Sequence, residues 1–260
     1  MLELLVLASP ERLQQWFWAL LVNGVLIAAA QRLPLLTPAG WVQAGVLGTL
    51  LLGSLDWPGW WAVVLYLALG SLVTRLGFRT KQQQGLAEAR GGRRGPENVW
   101  GSAATGAALA VLTVLPTAPV ALLELGFAAS FAAKLADTCG SEIGKRWGRH
   151  TLLITTLQPV PPGTEGAISL EGTAASLLGS AVMATLMLRL GLLSDGAAWL
   201  LVTLVGLAAT LMESWIGAEL QQRWRWLSNE LVNAIQTLLA AVLAMALAQG
   251  LGLALLINSL

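Results

Sequence analysis

The sequence predicts an all-α polytopic membrane bundle of about eight transmembrane helices, and three observations carry that prediction. The first is composition: 56% of the 260 residues are hydrophobic and only 11% are charged, against about 25% charged in an ordinary soluble domain. Mean hydropathy is +0.69. The second is spacing. Apolar runs of the length a bilayer demands, about 17–25 residues, are separated by turns rich in Pro and Gly, such as LPLLTPAG, LDWPG, LPTAP and LLSDG. The third is charge. An even number of crossings puts 13 of the 15 Lys and Arg residues on one face. They are Arg32, Arg75, Arg79, Lys81, Arg90, Arg93, Arg94, Lys134, Lys145, Arg146, Arg149, Arg223 and Arg225. Only Arg12 and Arg189 fall opposite. The positive-inside rule makes the rich face cytoplasmic and puts the N-terminus outside.

The elements follow in order. Residues 1–15 are short and mixed and read as an interfacial segment. Candidate spans are 16–33, 39–55, 59–76, 99–115, 118–136, 171–192, 197–220 and 231–258, and the whole chain, 1–260, reads as one integral membrane domain. Small residues recur inside the spans, as close helix packing in lipid requires. Many of the twelve tryptophans stand near span ends, where the indole suits the headgroup region. One cysteine, Cys139, excludes an intramolecular disulfide framework and a CxxC metal site. No signal peptide is expected, and a net charge of +1 gives no reason to expect a nucleic-acid partner.

Two cytoplasmic segments, 77–100 and 137–170, read as functional loops. In the second, Lys134, Asp137, Thr138, Ser141, Glu142 and Lys145 recur at three- and four-residue spacing. If the fifth span stays helical past Ala136, they form one polar stripe. Carboxylates beside hydroxyls and lysines suit Mg²⁺, which takes oxygen ligands and usually combines one or two carboxylates with substrate phosphates and water. A solvated helix end with internal ion pairs would give the same pattern. PVPPGTEGAIS follows, and its prolines and glycines deny it regular helix and leave backbone N–H groups for an anion. The first segment, ARGGRRGPENVW, offers Arg90, Arg93 and Arg94, then Glu97 and Asn98, and arginine forks suit phosphate oxygens. Glu213 lies late in the seventh span, where a carboxylate is costly and marks function by default. Asn229 and Asn233 share a face at the start of the eighth. GSEIGK has the wrong spacing for a P-loop, with Arg146 where Ser or Thr belongs. The lone His150 supports no triad.

The motifs GGRRGPENVWG, ADTCGSEIGKRWG, LITTLQPVPPGTEGAISLEGTAAS, MESWIGAELQ and LSNELVNAIQT, in this order between apolar spans, resemble the phytyl-phosphate kinase family of tocopherol biosynthesis. The resemblance covers roughly residues 77–240. It implies an integral membrane enzyme of a bacterial inner membrane or thylakoid, with its active site on the cytoplasmic face. The implied reaction transfers the terminal phosphoryl of a nucleoside triphosphate, CTP by the resemblance, to phytyl phosphate or a similar prenyl phosphate. Asp137, Glu142 and Glu213 become the expected catalytic and Mg²⁺-binding residues, with Glu165 a fourth metal candidate. Arg93, Arg94, Lys134, Lys145 and Arg146 become phosphate clamps. Gly163, Thr164 and Gly166 become backbone donors, and Asn98, Ser141, Asn229 and Asn233 polar contacts. Rival readings are another polyprenol or polyprenyl-phosphate kinase, a CDP-lipid synthase, or a transporter. A transporter binds near the bilayer midplane, whereas these polar residues gather on one face.

Overall fold

The structure is a computed structural model and describes residues 9–252 apart from 222 and 225. Helix α1 spans Pro10–Ala30, α2 Pro38–Arg75, α3 Phe78–Gln83, α4 Pro96–Leu112 and α5 Val120–Trp147. A short hairpin pairs β1, Leu152–Leu153, with β2, Ala167–Ile168. Helices α6, Leu170–Arg189, α7, Gly196–Ile216, and α8, Asn229–Gly250, complete it. One π-helical turn, Gly217–Gln221, extends α7.

Helix α1 starts earlier than the hydropathy pattern suggests. Ser9 caps it by accepting from the Arg12 amide, and Pro10 and Glu11 occupy its first turn. Residues 10–15 are therefore helical, because Ser-Pro-Glu is a strong helix start. The rest of the expected interfacial segment, 1–8, lies outside the described residues, as does 253–258 of the last expected span.

The 38-residue α2 would be about 57 Å long if straight, nearly twice the hydrocarbon thickness. It is not straight. Asp56 adopts φ 54°, ψ −154°, just before Pro58. Beyond it the chain doubles back, so that Arg75 Nη2 donates to the carbonyl of Pro34 at 3.0 Å. The expected spans 39–55 and 59–76 are thus the two arms of one helical hairpin. Asn23 of α1 knits these arms together. Its amide donates to Gly45 O (2.6 Å) and Thr49 Oγ1 (3.2 Å), and its oxygen accepts from Trp60 Nε1 (3.0 Å). Trp57, Trp60 and Trp61 stack edge to face beside the Asp56 reversal.

Helix α5 is the centre of the bundle, in contact with α2, α4, α6, α7 and α8. Phe127, Ala128, Ala129, Phe131, Ala132 and Ala133 are fully buried. Small residues let the neighbours approach. Gly140 and Gly144 of α5 lie against Gly172 of α6, and Gly206 of α7 lies against the backbone of Ala132 and Ala133. Such contacts are how helices associate in lipid, where apolar burial gives no preference for protein over acyl chain.

Among the described residues, five helices, α1, α2, α6, α7 with its π-turn, and α8, are long and apolar enough to cross a membrane. Helix α4, with 17 residues, is at the lower limit of spanning length, and α5 carries a run of charged residues toward its C-terminus. Both differ from lipid-facing spans because they are enclosed by other helices.

Asn23→Ala removes three intramembrane hydrogen bonds, each worth about 0.6 kcal/mol. We expect its thermal unfolding in detergent to show a loss of about 2 kcal/mol. Gln31→Ala, at an exposed side chain bonded only to Ala28 O, serves as the silent control.

Candidate active site at the polar end of the bundle

The ends of α2, α5 and α7 and the starts of α4, α6 and α8 meet at one end of the bundle. They enclose a cavity of about 440 Å³. Helix α5 is its spine. Lys134, Asp137, Thr138, Ser141, Glu142 and Lys145 all line it, so the helix runs past Ala136 and the stripe is real. From Lys134 to Lys145 the stripe covers about 16 Å. The expected functional loop 137–170 is therefore helical as far as Trp147, and only 148–169 connects. The other segment, 77–100, holds α3 and the first turns of α4.

At the deep end, the Lys134 ammonium pairs with Asp137 and donates to Asn233 Oδ1 at 2.8 Å. Arg94 Nη1 donates to the Tyr66 hydroxyl at 2.7 Å, and its guanidinium lies over that ring, 5.1 Å from the centroid. The Arg94 backbone is fixed too, since its amide donates to Leu35 O and its carbonyl accepts from Thr37. Glu213 reaches the same wall from α7.

At the loop end, Lys145 bridges Glu88 at 3.1 Å and Glu142 at 3.9 Å. Glu142 also pairs with Lys81, a fully buried side chain that donates to Thr74 O at 2.9 Å. Arg90 pairs with Glu97 and donates to Asn98 Oδ1 at 2.8 Å. Asn98 in turn accepts from the Gly95 amide at 2.9 Å and donates to Glu230 at 3.4 Å. Partial burial works against the charge of Glu88, but the Lys145 ammonium outweighs it and holds this carboxyl below the usual range. Burial pushes Glu165 above the usual range. Lys145 opposes that rise, and the Asp137 and Glu88 carboxylates add to it.

The 154–166 loop is locked by two glycines with left-handed backbones, Gly163 at φ 84° and Gly166 at φ 76°, a conformation that costs other residues free energy. Gly163 abuts Leu86, and Gly166 sits under Ala218 and Ser214 O, where a Cβ has no room. Both line the cavity, and among the described residues no backbone or side-chain acceptor pairs with their amides. The Thr164 amide and hydroxyl are both taken by Pro161 O, at 3.2 and 2.8 Å. Of the expected backbone donors, Thr164 therefore drops out.

The cavity gathers the other expected residues: Arg93, Arg94, Asn98, Lys134, Asp137, Ser141, Glu142, Lys145, Gly163, Glu165, Gly166, Glu213, Asn229 and Asn233. Arg146 is not among them. One residue on from Lys145, it is turned about 100° around the helix, packs over Gly77 and stacks on Trp147. Sequence reasoning missed Tyr66, Lys81, Glu88 and Glu230. A lone tyrosine inside an apolar span was the one available signal for any of them.

Five cationic side chains and six carboxylates line the cavity. Among the described residues, no three carboxylate, imidazole or thiol groups converge closely enough to hold an ion by themselves. Asp137, Glu165 and Glu213 share the cavity, which fits a divalent ion held partly by substrate phosphates. Glu142 is paired with Lys81 through one oxygen and lies 3.9 Å from the Lys145 ammonium through the other.

The fold and site together define an integral membrane protein with a charged, water-facing chamber at one end of an apolar bundle. The chain belongs to the family described as integral membrane protein DUF92, whose profile matches residues 21–241, and the family resemblance read from the motifs is borne out. It is 48% identical over 232 residues to the uncharacterized membrane protein sll0875 of Synechocystis, covering 88% of this chain and 90% of that one. It is 38% identical over 258 residues to protein VTE6, chloroplastic, of Arabidopsis thaliana, covering 95% of this chain and 75% of that one. To the uncharacterized membrane protein MJ0933 of Methanocaldococcus jannaschii it is 28% identical over 235 residues, covering 90% and 95%. No solved structure matches the chain.

The Lys81–Glu142 pair gives a stability prediction. Glu142→Gln strands a buried ammonium and should cost about 3–5 kcal/mol. Lys81→Met/Glu142→Leu should recover most of that loss, read as a thermal double-mutant cycle. Additive losses would show that the pair does not act as a unit.

Proposed function

We propose that the protein is a phosphotransferase that moves the terminal phosphoryl of a nucleoside triphosphate, CTP in the first instance, to phytyl phosphate or a similar prenyl phosphate. The observation that carries this reading is the lining of the cavity. Its acidic excess would repel a bare polyanion, yet fixed cations stand at both ends. That combination suits a polyphosphate entering as its Mg²⁺ complex. The resemblance of the motifs to phytyl-phosphate kinases and the similarity to VTE6 support the same class.

The residues divide the work along α5. Arg94, aimed by Tyr66, and Lys134, aimed by Asp137 and Asn233, hold the acceptor phosphate at the deep end, with its prenyl tail among the spans. Lys145, Arg90 and Arg93 take the donor phosphates at the loop end. The amides of Gly163 and Gly166 supply further donors. Asp137, Glu213 and Glu165 would hold Mg²⁺, which supplies charge neutralisation between donor and acceptor. Glu142 positions Lys145. Asn98 and Asn229 fix the rim, Asn98 by capping α4 and bonding Glu230, Asn229 by accepting from Gln221. No strong general base is needed, because an acceptor phosphate with a second pKa near 6 is largely ionised at neutral pH. Positioning and charge stabilisation dominate phosphoryl transfer. The one-sided Lys and Arg distribution supports a chamber on the cytoplasmic face, where nucleotide is available.

Asp137→Asn should reduce turnover by at least a hundred-fold in the purified protein assayed well below its melting temperature, which loss of the Lys134 ion pair lowers. Product analysis tests the reaction itself. A prenyl diphosphate with a nucleoside diphosphate supports the proposal. A prenyl monophosphate made from the alcohol, or a CDP-lipid with pyrophosphate, overturns it. The raised Glu165 carboxyl binds its proton at higher pH than a free glutamate does, so Mg²⁺ must displace that proton as pH falls. The Mg²⁺ concentration needed for half-maximal activity should therefore rise on moving from neutral to mildly acidic pH. Glu165→Gln should flatten that rise.

A further inference from the structure

A second hollow of about 270 Å³ opens beside the first. It is bounded by Phe78, Gln82, Gly85, Ala87, Glu88, Arg90 and Gly91. Glu88 and Arg90 line both hollows and form their common wall. The volume is near the lower end for small-ligand pockets, about 300 Å³, so it suits part of a ligand whose remainder lies across that wall.

Its chemistry is that of a nucleoside site. Phe17 faces outward from α1, while Phe127 and Phe131 are core residues. Phe78 is the phenylalanine at the polar end, only partly covered. Its ring passes beneath Gly92, at van der Waals distance from where a Cβ would stand. Gln82 is exposed, and its carboxamide makes no hydrogen bond among the described residues. It offers a donor and an acceptor side by side. Gly85 and Gly91 hold left-handed backbones, and nothing lies within 4 Å of where their Cβ atoms would stand. The floor and rim are therefore open. Arg90, at φ 55°, is a non-glycine residue in the same region, held there by Glu97 and Asn98. Backbone strain of this kind clusters at ligand clamps.

We propose that this hollow takes the nucleoside of the donor nucleotide, with the base stacked on Phe78 and its edge read by Gln82, while the phosphates pass Arg90 into the main cavity. The inference rests on the nucleotide-dependent reading above and adds to it the residues that choose the base.

The test is equilibrium binding to the purified full chain, with Mg²⁺, of CTP, UTP, ATP and inorganic tripolyphosphate, which has no base. Phe78→Ala should weaken CTP binding roughly ten-fold, the scale of a lost base–aromatic stack, and leave tripolyphosphate binding unchanged. Phe78→Tyr should retain CTP binding. Gln82→Ala, at an exposed side chain that folding does not use, should bring the three nucleotides toward equal affinity. Equal losses for CTP and tripolyphosphate would overturn the assignment, as would wild-type base preference in Gln82→Ala or no nucleotide binding at all. Should CTP bind with the expected dependence on Phe78 and Gln82 while no phosphoryl group is transferred, the subsite stands and the kinase reading falls.

Discussion

A charged stripe on a helix enclosed by apolar neighbours must find a partner for every charge, and α5 is where this molecule meets that demand. An ionised side chain left alone at such depth costs several kcal/mol, and the charges of the stripe are answered from α5 itself or from elements packed against it. Lys134 is answered by Asp137 and by Asn233 of α8. Glu142 is answered by Lys81 of α3, and Lys145 by Glu88 of the first polar loop. The pairing does structural and chemical work at once. It draws α3, α8 and the loop onto the central helix, and it leaves polar atoms lining a chamber instead of facing lipid. Glycine contacts make this possible, because only bare backbone lets α6 and α7 come close enough to wall the stripe in.

The chamber has two characters along its length. The deep end is rigid: Arg94 is held through its backbone, its guanidinium and the ring beneath it. The loop end adds to the buried Lys81–Glu142 pair two more exchangeable ones, Arg90–Glu97, exposed on both sides, and Lys145–Glu88, exposed at its carboxylate. Under the proposed function, a substrate phosphate arriving there would compete with Glu88 and Glu97 for Lys145 and Arg90. Such exchange costs little, because exposed pairs are worth less than about 1 kcal/mol. Under the proposed phosphoryl transfer, this would separate a fixed acceptor position from an adaptable donor position.

Much of this was legible from residue order. Long apolar runs and Pro-Gly turns mark helices whatever their neighbours, so even the α2 hairpin was readable from LDWPG. The stripe from Lys134 to Lys145 was readable because helical periodicity fixes a face. Partners were not readable. Lys81 looks like a solvent-exposed lysine among glutamines, and only the docking of α3 reveals that it is buried. Tyr66 lies in an apolar run that gives no hint of Arg94. Arg146 was taken with Lys145 because adjacent basic residues look alike in sequence, although a helix sends them in different directions. The Thr164 amide was expected to be free because the loop has no regular structure, yet a local turn consumes it.

The tryptophans bear on which membranes suit the protein. Trp57, Trp60 and Trp61 gather at one end of the bundle, and the stacked, exposed pair Trp224 and Trp226 stands at the other. Indole rings prefer the headgroup zone, so the two groups act as a gauge of fixed length. A bilayer thicker or thinner than that gauge must deform, or the bundle must tilt. Either response moves the lipid surface relative to Lys134, and with it the height at which the proposed lipid-borne phosphate would be presented. Acyl-chain length in the host membrane thereby becomes a variable that tunes access to the chamber without touching any residue in it.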